Sequence, residues 1–397
     1  MNYILFDDLP TRTSLLPLTH LRPVADIRVG ICKISEKWER VLGTTLSFYT
    51  VEYLSGKYTC TMEEDNVFIN GAVCPDELLV QEIQSLEKEE ILFSEDQIIA
   101  VRARRFDPSL KREDRLSDRK SRKWKNPVTI IDKPWKIFQH NAEELKKDFI
   151  RLTRGRKSAG ISDKATVVYG EENVFVEEGV SIKSAVIDAE SGPVYLGKHS
   201  VIHPGAVIRG SFALLDYSQV SMGAKMRGDT TVGPHSKVGG EVANSVIFGY
   251  SNKSHEGYLG NSVIAEWCNL GADTNTSNMK NDYGPIKLWD YNKERFTDTG
   301  IMFCGLIMGD HSKTGINTMF NSGTSVGVSC NITGSGYPRA FIPSFSKGGP
   351  AGYSTWTLPK SMEVMERVLA RRNMDLDRED RNIIEKVFEI TARYRRS

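Results

Sequence analysis

His255 is the residue of this chain best suited, by type and surroundings, to move a proton. Only seven histidines occur in 397 residues. This one opens the string HEGYLGNSVIAEWCNLGADTNTSN, residues 255–278, next to polar Asn252, Lys253, Ser254 and Glu256. An imidazole changes charge near neutral pH, so it can accept a proton from an attacking amine or hydroxyl. Glu256 or a backbone carbonyl could set its tautomer. Taken alone, it reads first as a surface or corner histidine. What singles it out is its place at a break in a repeat. His311, in MGDHSKT, is a rival that sits in a regular repeat, as do His199, His203 and His235. Cys268 also falls in a regular hexad and reads as an inward or corner thiol rather than a nucleophile.

The element that must position His255 is written as a six-residue period. Leu196, Ile202, Ile208, Leu214, Val220, Met226, Val232 and Val238 mark eight consecutive hexads. Ser200, Ala206, Ser218, Ala224, Thr230 and Ser236 stand four places on within several of them. Neither the two-residue period of a strand nor the 3.6 of a helix gives this pattern alone. A parallel β-helix does: each hexad is one short flat strand and a corner, with the aliphatic inside and the small residue at the tight turn. The period starts loosely at Val168, Val176 and Ile182. It returns at Ile264 and Leu270, then at Met308, Thr314, Phe320, Val326 and Ile332, where Thr314 is a poor match. It slips register over 244–263. Residues 276–303 leave it altogether and read as a loop extruded from a coil, a length usually tied to function. Trp289, Tyr291 and Phe296 argue that this loop is packed.

Residues 1–157 read as an α/β domain. Strands are expected at Tyr3–Phe6, 66–72, 90–93 and 97–101, and helices at 27–42, 77–86 and 142–152. Residues 102–126 are dense in charge and read as a solvated loop, with a phosphate-binding flap as the alternative. A linker, GRKSAG, leads to the β-helix at 165–345, and a helical tail covers 358–397. The open ends of such a solenoid need caps. The α/β domain is expected over one end and the tail over the other. Formal net charge is +1, hydrophobic residues make up 40% and charged residues 26%. Nothing in this balance draws the whole chain to nucleic acid or to an anionic membrane. No apolar run approaches the ~20 residues of a membrane span, and MNYILFDDLP does not read as a signal peptide. Six cysteines without CxxC or finger spacing read as free thiols in a reducing cytoplasm, with no metal site.

Residues 255–278 resemble the acetyltransferase half of the bifunctional GlmU family, which makes N-acetylglucosamine 1-phosphate and its uridylyl derivative. The matching residues are His255, Tyr258, Leu259 and Gly260, then Asn269, Leu270, Gly271, Ala272 and Thr274, then Asn278, without a gap. The resemblance implies His255 as catalytic base and Tyr258, Asn269 and Asn278 as substrate contacts. It puts the amide facing the thioester oxygen at Ala272. With a two-residue gap it puts the phosphate-binding arginine at Arg227. It further implies an acetyl-CoA or other acyl-CoA cosubstrate, a CoA wall in the coils from Gly305 to Thr324 that includes Thr318, a left-handed coil and a homotrimer. The family's sugar-binding lysine has no counterpart near Asn244 and Ser245, its second glycine is Asp273 and its second tyrosine is Met279.

The N-terminal segment is similar to sugar-phosphate nucleotidyltransferases, but the strand YILF is followed by DDLPTRTSLLPLTHLRPVADI with no glycine before Gly30. Leu18 stands where the family carries a lysine. The whole chain resembles a divergent GlmU-like group, with TRTSLLPLTHLRPVADIRVGI and FCGLIMGDHSKTGINTMFN as hallmarks. The leading expectation is acyl transfer to an amino-sugar phosphate or nucleotide sugar. The second is nucleotidyl transfer with Mg²⁺, using Arg12, Arg22, Arg28 and the 102–126 segment in place of the missing loop. The third is a non-catalytic scaffold.

Overall fold

The computed structural model describes residues 1–108 and 119–396. Part of the charged 102–126 segment, residues 109–118, therefore lies outside the described residues. Its later part, Lys120–Lys123, is not loop but an edge strand of the first sheet, tied down by Arg122 on Glu90 at 2.9 Å.

That sheet has six strands. Asn2–Phe6 lies parallel between Ser47–Tyr49 and Asn66–Asn70. Gln97–Ala103 then runs antiparallel to Asn66–Asn70. The helix expected over 27–42 forms only at Ile34–Leu42. Residues 27–33 are held out of helix by side chains. Gly30 sits at φ +73°, a left-handed conformation that glycine adopts at little cost. The Gly30 N–H donates to Asn141 Oδ1 at 2.8 Å, and the Ile31 and Cys32 N–H groups donate to Asp148 Oδ2 at 2.9 and 3.0 Å. Both acceptors lie on the helix Pro134–Thr153. That helix starts earlier than its aliphatic spacing suggests, because Pro134 suits a first turn. Lys37 closes the arrangement as a buried counter-charge, 3.1 Å from Glu144 and 2.5 Å from Asp148.

The hexads wind into a parallel β-helix with sheets of six, nine and five strands, the last continued by a further group of four. Leu196, Leu214 and Val232 stack inward on one face, Ile202, Val220 and Val238 on the next, and Ile208, Met226 and Val242 on the third. All are fully buried in one continuous core. Ser200, Ala206, Ser218, Ala224, Thr230 and Ser236 are likewise buried at the turns. Thr314, the weak match, keeps an inward position because its hydroxyl accepts from the Gly271 N–H and bonds Thr274 Oγ1, both at 2.9 Å.

One corner column is aromatic. His199, Tyr217, His235, Tyr250, Trp267 and His311 stack in succession, with centroids 4.3–6.2 Å apart. Each has positive φ, which side-chain-bearing residues adopt rarely.

The two expected caps sit elsewhere. The α/β domain lies along the flank of the β-helix: its core is continuous with Val246, Phe248, Val263, Ala265 and Ile307 of the nine-stranded face. The tail helices Leu358–Ala370 and Arg378–Ile390 wedge into the seam, packing on Trp267 and Phe345 and on Leu54 of the α/β domain. The apolar stripes of both elements face sideways onto a large flat sheet, and burial there removes more apolar surface from water than a triangular end would. The hairpin Ser346–Gly349/Gly352–Thr355 pairs on the last strands instead.

Candidate functional site

His255 stands on a corner of four residues, Ser254 to Gly257, between the strands Asn252–Lys253 and Tyr258–Gly260. The corner one coil below is only Gly239–Gly240. A side chain at Gly239 would meet the Ser254 carbonyl at 2.2 Å, and one at Gly240 the Glu256 Cα at 2.9 Å. The Ser254–Gly257 corner is thus longer than the one below it and rests directly on those two glycines, which leave no room for side chains. The imidazole is exposed. It donates to and accepts from no group among the described residues, so neither Glu256 nor a carbonyl sets its tautomer within the chain.

Lys253 underlies this corner and was not singled out by sequence reasoning. It takes the inward position that Val220 and Val238 hold on the coils below. Its ammonium donates to the carbonyls of His255 at 2.6 Å, Gly239 at 3.1 Å and Glu256 at 3.2 Å. An ionisable residue at an aliphatic position of the hexad register was the available signal. Burial pushes its pKa down to about 8, against the pull of Glu256 and Asp273. The folded chain thus binds fewer protons than the unfolded chain between about pH 8 and the free-lysine value near 10.4. Stability contributed by this group rises with pH across that window. Lys253→Met should lose that slope in pH-dependent denaturant unfolding and should lower activity by loosening the corner. Equal slopes in both proteins would contradict the assignment.

Ala272 lies one coil above His255, since the Asp273 N–H donates to the Glu256 carbonyl at 3.1 Å. The Ala272 carbonyl accepts from Asn317 N–H at 2.8 Å, while its own N–H is used by no group among the described residues. Tyr258 and Asn278 are brought together. Asn278 Nδ2 donates to the Tyr258 hydroxyl at 3.0 Å and to Asn261 Oδ1 at 2.7 Å. The Asn278 carbonyl closes the neck of the extruded loop by accepting from Cys304 N–H at 2.9 Å. Burial raises the Tyr258 phenol pKa, with the nearby Arg227 charge opposing it. Arg227 shares this face but is engaged by Glu241 at 2.8 Å. Glu241 was missed, although it pairs in register with Tyr258.

Other expected residues fall elsewhere. Asn269 is on the adjacent face, bridging Asn252 and Lys313, and lines a different cavity. Gly305 is buried where the extruded loop returns, with its N–H on the Asn261 carbonyl at 2.9 Å. Thr318 is buried too, its hydroxyl donating to the Gly315 carbonyl at 2.9 Å. Exposed Ile316 stands in the column above Ala272.

In the α/β domain a crevice of about 420 Å³ opens at the ends of Asn2–Phe6 and Asn66–Asn70, lined by Asp8, Ser14, Asn70, Asp132 and Lys133. Asn292 of the extruded loop reaches into it, donating to the Pro10 carbonyl at 3.0 Å and Ser14 Oγ at 2.9 Å. Arg12, Arg22 and Arg28, the expected nucleotide contacts, do not line it. All three are buried and used internally: Arg12 on Asp7 at 2.9 Å, Arg22 on Asp310 and Glu266, Arg28 on the Phe248 carbonyl at 3.1 Å. Arg22 and Arg28 are spent across the seam with the β-helix, and Arg12 within the α/β domain. Among the described residues no group of three His, Cys, Asp or Glu side chains is disposed to hold a metal.

The structure is thus an α/β domain set against a parallel β-helix of six-residue rungs, with His255 at one of its corners. Residues 3–157 match the family described as sugar nucleotidyl transferase. The chain is 31% identical over 197 residues to the bifunctional protein GlmU of Methanococcus vannielii, covering 50% of this chain and 41% of that one. It is 30% identical over 214 residues to the bifunctional sugar-1-phosphate nucleotidylyltransferase/acetyltransferase of Sulfurisphaera tokodaii, covering 53% and 45%. It is 38% identical over 92 residues to GlmU of Methanocaldococcus jannaschii, covering 23% and 22%. The matches thus span less than half the length of these relatives. Over these segments the chain is similar to GlmU and to bifunctional sugar-1-phosphate nucleotidylyltransferase/acetyltransferases.

Proposed function

We propose that this chain transfers an acyl group from a CoA thioester to the amine of an amino-sugar phosphate or nucleotide sugar. The observation that supports it best is the corner itself: an exposed, unengaged imidazole, an unused Ala272 N–H one coil above, and the Tyr258–Asn278 pair on the adjoining face. His255 takes the proton as the amine nitrogen attacks the thioester carbonyl. The Ala272 N–H faces the oxygen that gains charge. Collapse of the tetrahedral adduct forms the amide and expels the thiolate, which takes up a proton to leave as free CoA.

Arg227 then holds the sugar phosphate, for which Glu241 must give way. Arg227→Ala should raise KM for the sugar phosphate roughly tenfold or more, as for loss of a charged hydrogen bond, with kcat little changed. A loss confined to kcat would remove Arg227 from substrate binding. A second copy of the chain, in a homotrimer, completes the cleft in this reading. The six-stranded face is bare, with exposed Val167, Tyr169 and Val207, and would carry that contact. We place the reaction in the cytoplasm. Among the described residues no helix is long and apolar enough to cross a membrane.

The family match over residues 3–157 supports a second reading, nucleotidyl transfer at the α/β crevice, with Lys133 as its cation. One assay pair separates the two. Thiol release from acetyl-CoA with amino-sugar phosphates supports acyl transfer. Pyrophosphate release from UTP or dTTP with a sugar 1-phosphate supports nucleotidyl transfer. Absence of both would leave the scaffold reading.

A further inference from the structure

A cavity of about 460 Å³ lies between the third face of the β-helix and the end of the helix Leu358–Ala370. Four cations line it: Lys237 and Lys313 from the coils, Arg371 and Arg372 from the turn after the helix. Among the described residues no carboxylate lines this cavity and none pairs with any of the four. Lys313 Nζ donates only to the His311 carbonyl at 3.0 Å, and Arg372 to the His235 carbonyl at 3.0 Å. The chain as a whole is nearly neutral, with 52 basic and 51 acidic residues. Most of its cations near a fold seam have a carboxylate partner, as Arg22, Lys33, Lys37 and Lys57 do. A helix C-terminus attracts cations and accounts for Arg371 and Arg372. It does not account for Lys237 and Lys313, which sit on strands and face the same space.

Four like charges around one partly enclosed volume repel one another and raise the local concentration of anions. The remaining lining fits a ligand that is more than a bare ion. Asn252 and Asn269 present amides, Tyr250 and Trp267 form an aromatic wall, and Ser254, next to His255, stands at the rim. We propose that this cavity binds a phosphoanion: the pyrophosphate or phosphorylated end of a nucleotide-type ligand. The site is separate from the Tyr258–Asn278 face and from the α/β crevice. Its occupancy does not depend on proton transfer by His255, so it stands or falls apart from the acyl-transfer reading.

Two sources share that chemistry, the phosphates of CoA and those of a nucleotide or nucleotide sugar. Calorimetric titration of the full chain with pyrophosphate, CoA and UDP tests the site and separates them. Pyrophosphate should bind, and binding should weaken as salt rises. The double substitution Lys237→Gln/Arg371→Gln, at two exposed positions, should weaken it at least tenfold; Lys313→Gln should act in the same direction. Arg339→Gln, in a separate cavity near the C-terminal hairpin, should leave it unchanged. CoA binding more tightly than UDP assigns the site to the acyl carrier, and the reverse order assigns it to a nucleotide. No pyrophosphate binding by the wild-type chain, equal binding by the double variant, or loss on Arg339→Gln would overturn the proposal.

Discussion

His255→Ala should reduce thiol release from acetyl-CoA by about 10²–10⁴-fold, the usual contribution of a positioned general base, while the melting temperature stays within about a degree. The second half of that expectation follows from exposure. The ring packs in no core and makes no hydrogen bond among the described residues, so its removal leaves no cavity and no orphaned partner there. The corner backbone is held from beneath by Lys253, which the substitution does not touch. A rate still near wild type would exclude His255 as the base. A fall matched by a large loss of melting temperature would mean that the ring is structural. His255→Gln should be as inactive as the alanine variant, because an amide cannot take up the proton.

The largest stability effect should come from Arg22→Met. Arg22 lies in the first hallmark string and Asp310 in the second. They meet across the seam between the α/β domain and the β-helix, with Glu266 3.3 Å from the same guanidinium. Asp310 is 1% exposed and also accepts from the Glu266 N–H at 3.1 Å. Burial pushes its pKa up to about 6 even with Arg22 beside it. Removing the cation leaves a buried carboxylate uncompensated, a change that costs about 3–5 kcal/mol in comparable pairs. Chemical denaturation should show that loss, and Arg22→Met/Asp310→Asn should recover part of it because the orphaned charge is gone. If the double variant is no better than the single one, the guanidinium matters for packing on Phe248 rather than for charge.

The second hallmark string thus holds the seam as well as the coil, and this bears on how the chain was readable. Inward hexad residues such as Leu196, Val220 and Met226 were legible because burial inside a narrow prism repeats with the coil, whatever surrounds it. The His255 corner was legible as a slip in that period. Gly30 and its neighbours were not: their conformation is dictated by Asn141 and Asp148, more than a hundred residues away. Arg12, Arg22 and Arg28 looked like free cations because charge pairing between distant segments leaves no mark on local spacing. Asn269 and Tyr258, grouped as substrate contacts by the resemblance, lie on different faces because a corner that sequence spacing does not show separates them.

The amino-acid order by itself determined the β-helix, its inward columns and the corner that carries His255, since a fixed period is a local rule repeated. Only the tertiary structure decided where the α/β domain and the tail dock, which cations are spent within the fold, and which four remain around an open cavity. Those outcomes depend on contacts between segments far apart in the chain, where burial and charge compensation act through space and not along the sequence.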